Sequence, residues 1–358
     1  MNIVTIIGAR PQFVKAAVVS RAIRQMEQHG STINDFILHT GQHYDYAMSE
    51  LIFKQLHIPS PHWHLNCGND ISQMKAAIIP ILQAEKPDSV LVYGDTNSTL
   101  AGAEAANDLH IPVAHIEAGL RSFNDTMPEE YNRITTDKIA TWLFCPTMTA
   151  VENLRKEGIT QNVYHVGDVM YDAALLFMPG QKEQEGLLHR YGLQTKQFAL
   201  ATIHRAATAE NITALTNIFQ ALAQLNYPIL LPLHPHTAKT VKATPGLQMI
   251  LRDAANIRVV EPIGYIDMLV LERHAQCILT DSGGMQKEAY FQQTPCVTLR
   301  EETEWTETVN AGWNRLAGTD CKRIIDAAQK PFEGLPINEY GDGRSAEKIL
   351  QILCKDEY

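Results

Sequence analysis

Short apolar runs recur along the chain, each followed by a polar turn and a stretch with helical spacing. They read as strands near Asn2 to Gly8, Asp35 to Thr40, Ser89 to Gly94, Val113 to Glu117, Thr141 to Pro146 and Val163 to Gly167 in the first half. In the second half they fall near Phe198 to Ile203, Ile229 to Leu233, Ile257 to Glu261, Cys277 to Thr280 and Cys296 to Leu299. Uninterrupted apolar strands alternating with helices predict parallel sheets buried on both faces, an α/β fold. A chain of 358 residues exceeds what a single core usually supports, so two domains are expected. The polar stretch Gln181 to Glu185 places the hinge between residues 168 and 195; the domains are drawn at 1–170 and 171–343. The halves share a pattern without a sequence repeat.

Composition narrows the function. Apolar residues make up 45% of the chain, charged residues 20% and aromatics 7%, a globular balance with a sizeable core. The formal net charge of −10 argues against a nucleic-acid or anionic-membrane surface, and a small anionic substrate would need local cations. No apolar run reaches the roughly 18 to 20 residues that span a bilayer. The opening Met-Asn-Ile-Val-Thr-Ile-Ile-Gly reads as a strand, not a signal peptide, so a cytoplasmic location is expected. The six cysteines are scattered without metal-like or disulfide-like spacing and read as reduced thiols.

Ligands of open parallel sheets bind beyond the carboxyl ends of the strands, and the unusual polar residues concentrate there. Asp281-Ser-Gly-Gly-Met-Gln-Lys-Glu288 follows a strand and opens a helix, so Ser282, Gly283 and Gly284 offer backbone N–H groups to a phosphate, with Glu288 a turn further for ribose hydroxyls. The plain alternative is a helix cap at Ser282. The first turn, Gly8-Ala-Arg-Pro-Gln-Phe-Val-Lys15, departs from the dinucleotide fingerprint, which disfavours a nicotinamide or flavin cofactor. Arg10 and Lys15 are anion ligands or a solvated pair. Asp95 and Glu117 end neighbouring strands, and Glu129 and Glu130 follow close by. Carboxylates gathered so can do acid–base work, or can cap a helix and pair with Arg121 or Arg133.

His204 ends the first strand of the second half, where it could meet a phosphate or move a proton. His234 and His236 alternate along the chain and do not make a metal set, so no metal is expected. Arg300 with Glu304 could reach substrate, Trp305 could pack beneath that loop, and Tyr265 could frame a planar base or belong to the core. Neither a nucleophile elbow nor a P-loop is present, which weakens hydrolase and kinase readings.

In order along almost the whole chain, Gly-x-Arg-Pro-x-x-x-Lys, Thr-Gly-Gln-His, Gly-Asp-Thr, His-x-Glu-Ala-Gly-Leu-Arg, Pro-Glu-Glu-x-Asn-Arg, His-Arg, Asp-Ser-Gly-Gly-x-Gln-x-Glu, Arg-x-x-Thr-Glu and Tyr-Gly-Asp-Gly resemble the non-hydrolysing UDP-N-acetylglucosamine 2-epimerases. The resemblance implies a GT-B architecture of two Rossmann-like domains facing across a cleft, a last helix within 344–358 packing back on the first domain, and a homodimer without cofactor. It implies Asp95, Glu117, Glu129 and His204 as catalytic residues. Arg10, Lys15, Gln42, His43, Arg133, Tyr265, Ser282 to Gly284, Glu288, Arg300 and Glu304 would bind a UDP-sugar. Three departures are expected to line the cleft: Gln12 after Pro11, Ala206-Ala207 after His204-Arg205, and Trp305-Thr306 where the family pattern has Arg-Pro. With them the chain looks more like the branch acting on UDP-2,3-diacetamido-2,3-dideoxy-glucuronate for surface polysaccharide. A UDP-N-acetylglucosamine epimerase and a GT-B glycosyltransferase are the alternatives.

Overall fold

The computed structural model describes residues 1–28, 30, 32–42 and 52–355; His43 lies outside them. Two compact units form, Met1–Leu176 with the chain from Asn338 onward, and Phe177–Ile337. Each is built on one wholly parallel sheet.

The first unit's strands are β1 (Asn2–Ile7), β2 (Asn34–His39), β3 (Trp63–His64), β4 (Ser89–Tyr93), β5 (Val113–Ile116), β6 (Trp142–Cys145) and β7 (Val163–His165), in the order β3-β2-β1-β4-β5-β6-β7. The second unit's are β8 (Ala199–Thr202), β9 (Ile229–Pro232), β10 (Ile257–Val260), β11 (Cys277–Thr280), β12 (Cys296–Thr298) and β13 (Asn314–Leu316), in the order β10-β9-β8-β11-β12-β13. This is the α/β, Rossmann-like arrangement expected. Two strands escape the apolar pattern, β3 and β13. Each has only two or three residues, carries His64 or Arg315, and sits on a sheet edge, where burial on both faces is not required.

The double burial that makes the central strands legible is visible residue by residue. In the second sheet Ala199, Ala201, Ile229, Leu231, Cys277 and Leu279 enter one apolar cluster, while Phe198, Leu200, Leu230 and Ile278 enter another on the opposite face. In the first, Val4, Ile6, Val90 and Val92 pack with Met74, Ile78 and Leu82 of the helix Ile71–Glu85. The last helix, Ser345–Lys355, lies against the first, Arg10–Gln28, and is tied to the unit where Asp172 accepts from the Ala346 N–H at 2.8 Å.

Strand order reverses between β1 and β4 in the first sheet and between β8 and β11 in the second. At such switch points the flanking helices diverge to opposite faces and leave the strand ends open. Gly8-Ala-Arg10 and Gly94-Asp95-Thr96 stand at the first, His204-Arg205 and Asp281-Ser282 at the second.

Gly119 follows β5 with φ +79°, and a Cβ there would lie 2.5 Å from the carbonyl oxygen of Ala150. Gly119→Ala combines left-handed backbone strain with an overlap that backbone must relieve. It should lower unfolding free energy by about 2 to 4 kcal/mol in urea titration.

Candidate functional site

At the first switch point the helix Arg10–Gln28 begins directly beyond β1. Its opening turn is bolted down by Gln12, 1% exposed. Gln12 Oε1 accepts from the N–H groups of Gly8 (2.8 Å) and Ala9 (3.0 Å), while Nε2 donates to the Tyr93 carbonyl (3.1 Å) and Thr99 Oγ1 (3.0 Å). Arg10, at the start of that helix, is partly exposed; Lys15 turns inward and meets Glu117, Nζ to Oε1 2.6 Å. Glu117 has φ +72°, a strained backbone for a residue with a side chain, and such strain gathers at functional sites. Gly94, φ +64°, makes room for the pair: a Cβ would stand 3.1 Å from Lys15 Nζ and 3.2 Å from Glu117 Oε1.

Asp95 follows Gly94, partly exposed, and its Oδ2 accepts from Arg133 Nη2 at 2.5 Å. Arg133 comes from the helix Pro128–Ile139, and its Nη1 meets Glu130 Oε2 at 2.9 Å. Asn132, on the same helix, donates to the Asp95 carbonyl at 2.9 Å. Glu130 also accepts from Ser122 N–H and Oγ and from Phe123 N–H, so burial opposes its charge but these donors and Arg133 together hold its carboxyl below the usual value. Glu129, its neighbour, is only partly buried. Gln42, beyond β2, accepts from Ser98 N–H (3.0 Å) and Oγ (2.7 Å).

Beneath this set lies a charged network. His115 of β5 is fully buried, with Nε2 2.8 Å from the Gly94 carbonyl and Nδ1 2.7 Å from Asp137 Oδ1. Asp137 Oδ2 accepts from Gly119 N–H at 3.1 Å and pairs with Arg121 at 2.7 Å. Arg121 in turn reaches Glu157 through two bonds of 2.7 and 2.8 Å.

The second switch point has a parallel construction. Asp281 is fully buried and accepts from the backbone N–H groups of His204 (3.0 Å) and Arg205 (3.0 Å), fixing the loop beyond β8; the His204 ring stays partly exposed. Ser282 caps the helix Gly283–Phe291, its Oγ accepting from Met285 N–H at 3.4 Å. Glu304 lies against Gly283, where a Cβ would come within 2.2 Å of its Oε1, and is ion-paired to Arg300 at 3.1 Å. Glu288 and Tyr265 are buried. Lys287 is buried over the ring of Trp305, 4.2 Å from its centroid.

A family model described as UDP-N-acetylglucosamine 2-epimerase matches residues 24–354. The chain belongs to this family. A protein of Methanococcus maripaludis named UDP-N-acetylglucosamine 2-epimerase homolog is 45% identical over 361 residues, 99% of either chain. A Pseudomonas aeruginosa UDP-2,3-diacetamido-2,3-dideoxy-D-glucuronate 2-epimerase is 45% identical over 370 residues, 99% of this chain and 100% of that one. The crystal structure of a Methanocaldococcus jannaschii UDP-GlcNAc 2-epimerase with UDP-GlcNAc and UDP matches with a TM-score of 0.89 at 37% identity, covering 99% of this chain and 100% of that one. As a UDP-sugar 2-epimerase the chain is an isomerase of the GT-B type.

Within this epimerase fold the geometry sorts the candidate residues. Asp95, Glu117, Lys15, Arg133 and Arg10 gather at the first switch point; His204, Ser282, Gly283, Arg300 and Glu304 gather at the second. Two side chains among the departures from the family pattern are buried, Gln12 bracing the loop from inside and Trp305, 2% exposed, packing beneath Lys287, while Thr306, Ala206 and Ala207 are exposed. Gln12, Asp281, His115 and Asp137 escaped sequence reading as supports. The available signal was a polar residue in a position that strand or helix periodicity assigns to the interior. Among the described residues no group of three or more His, Cys, Asp or Glu is placed to hold a metal ion, and no helix is long and apolar enough to cross a membrane.

Gln12→Glu would set a carboxylate oxygen against the Tyr93 carbonyl. The expected cost is about 1 to 3 kcal/mol of stability with an unchanged preference among UDP-sugars, read by urea titration and competition assay. Glu130, whose folded-state pKa is lowered, contributes stability that is present above its ordinary 4.5 and lost as pH falls through the folded value. Native protein should therefore melt above Glu130→Gln at neutral pH, with the gap in Tm closing as the pH is taken down below 4.5.

Proposed function

We propose that the chain inverts C2 of a UDP-bound 2-acetamido sugar by eliminating and re-adding UDP. A carboxylate removes the C2 proton while the anomeric C–O bond breaks. The electron pair of the C–H bond becomes the C1–C2 double bond of a 2-acetamidoglucal, and the C–O pair leaves on the β-phosphate of UDP. Re-addition reverses these movements with the proton delivered to the opposite face. No carbonyl acidifies C2, so stabilising the departing diphosphate is part of catalysis.

The observation that carries this reading is the pair of carboxylates at adjacent strand ends, each met by its own cation: Asp95 by Arg133 and Glu117 by Lys15. Different partners give the two carboxylates different surroundings, and separate acid and base roles need two groups set apart in this way. Asp95, Glu117 and Glu129 form the acid–base set. Arg10, His204 and the N–H groups at Ser282 to Gly284 hold the diphosphate, and Glu288 holds the ribose.

For the sugar, UDP-2,3-diacetamido-2,3-dideoxy-glucuronate is the proposed substrate and its mannuronate epimer the product. The 45% identity to the Pseudomonas aeruginosa enzyme supports this, against 38% to a Methanocaldococcus jannaschii UDP-N-acetylglucosamine 2-epimerase. UDP-N-acetylglucosamine is the second reading, favoured by the equally similar Methanococcus maripaludis homolog. A cytoplasmic homodimer serving surface polysaccharide completes the proposal; light scattering tests the dimer.

In deuterated water each UDP-sugar turned over should acquire deuterium at C2 without any acceptor, read by NMR. No incorporation with either sugar rejects epimerisation, and turnover of UDP-N-acetylglucosamine alone rejects the diacetamido assignment. Asp95→Asn should lower kcat by about 10²- to 10⁴-fold.

A further inference from the structure

We propose that His115 is the positioning residue of the acid–base set: hydrogen-bonded at both ring nitrogens, it fixes the loop that carries Asp95 and the helix that carries Glu129 in register with Glu117. The inference rests on the reading of those three carboxylates given above.

The geometry is unusual for a core histidine. Nε2 faces the Gly94 carbonyl oxygen at 2.8 Å, and Gly94 immediately precedes Asp95. Nδ1 faces Asp137 Oδ1 at 2.7 Å, and Asp137 sits near the end of the helix Pro128–Ile139, whose first turn holds Glu129. His115 itself is on β5, two residues before Glu117. One side chain thus joins every segment that bears a proposed acid or base.

Both partners are acceptors. A carbonyl oxygen has no proton to give, and the Asp137 carboxylate already takes the Gly119 N–H and an Arg121 bond at its other oxygen. Burial opposes its charge, yet His115 and Arg121 keep its carboxyl below the ordinary value. Each ring nitrogen thus has an oxygen of its own, and one side chain bridges the loop and the helix. The charges facing it from every side are Asp137 on the helix, Arg121 and Glu157 behind Asp137, and the Lys15–Glu117 pair beside Gly94. The ring is fully buried and does not touch substrate; its effect passes through Gly94 and Asp137.

His115→Gln can reach one acceptor at most. A carboxylate displaced by about 1 Å costs on the order of 10²-fold in rate. The variant should therefore lose about 10²-fold in kcat with KM within about threefold, and its affinity for UDP, measured by calorimetry, should stay native. Leu82→Ala, in the core of the same unit, controls for lost stability: it should lower Tm and leave kcat alone. The inference is overturned if His115→Gln keeps native kcat, if it raises KM alone, or if Leu82→Ala loses kcat equally. Should His115→Gln not accumulate folded, Asp137→Asn breaks the same link from the helix side and is judged by the same outcomes. Asp95→Asn run in parallel separates the two failures. Native turnover there rejects the acid–base reading, whereas loss there with a native His115→Gln rejects only this inference.

Discussion

Lys15 and Glu117 are 102 residues apart in the chain and 2.6 Å apart in space, both almost withdrawn from water. Breaking a buried ion pair of this kind costs about 3 to 5 kcal/mol. The start of the helix Arg10–Gln28, the turn after β4 and the end of β5 must therefore assemble together. Glu117 accepts a left-handed backbone to reach this pair, and Gly94 leaves out a side chain to admit it. Strain and an ion pair at one point are tolerable only because the sheet beneath is rigid. Its strands are buried on both faces, and the cores on either side hold them by burial of Val, Ile and Leu.

The same solution is used twice. In the first unit Asp137, within helix Pro128–Ile139, takes Gly119 N–H and the His115 ring; in the second, Asp281 takes the N–H groups of His204 and Arg205. A fully buried carboxylate saturated by donors helps fix each site, beside a side chain that stays partly exposed, Asp95 or His204. Partly exposed Asp95 and buried Asp137 thus divide between them what one carboxylate could not do.

How far the sequence foretold this depended on periodicity. The central strands were legible because double burial forces an uninterrupted apolar run, and the strand ends were legible because polar residues cluster there. The short edge strands Trp63–His64 and Asn314–Leu316 were not, since an edge needs neither length nor two apolar faces. Candidate residues with open side chains, Asp95, Glu129 and His204, follow from motif and position. The supports do not: Gln12, His115 and Asp137 act through partners up to 87 residues away, and no local pattern encodes such a bond.

This division bears on substrate choice. Gln12 and Trp305 stand where the chain departs from the family pattern, which at first invites a specificity role for both. In the fold each is buried, with Gln12 bonded at both ends and Trp305 covered by Lys287. A side chain enclosed in this way cannot read a sugar substituent; it can change only the placement of residues that do. Gln in place of Glu at position 12 supplies the Nε2 donor that the Tyr93 carbonyl and Thr99 hydroxyl receive, so the substitution and its partners form one internal unit. What stays exposed of the departures is Thr306 and, directly after His204 and Arg205 at the second switch point, Ala206 with Ala207.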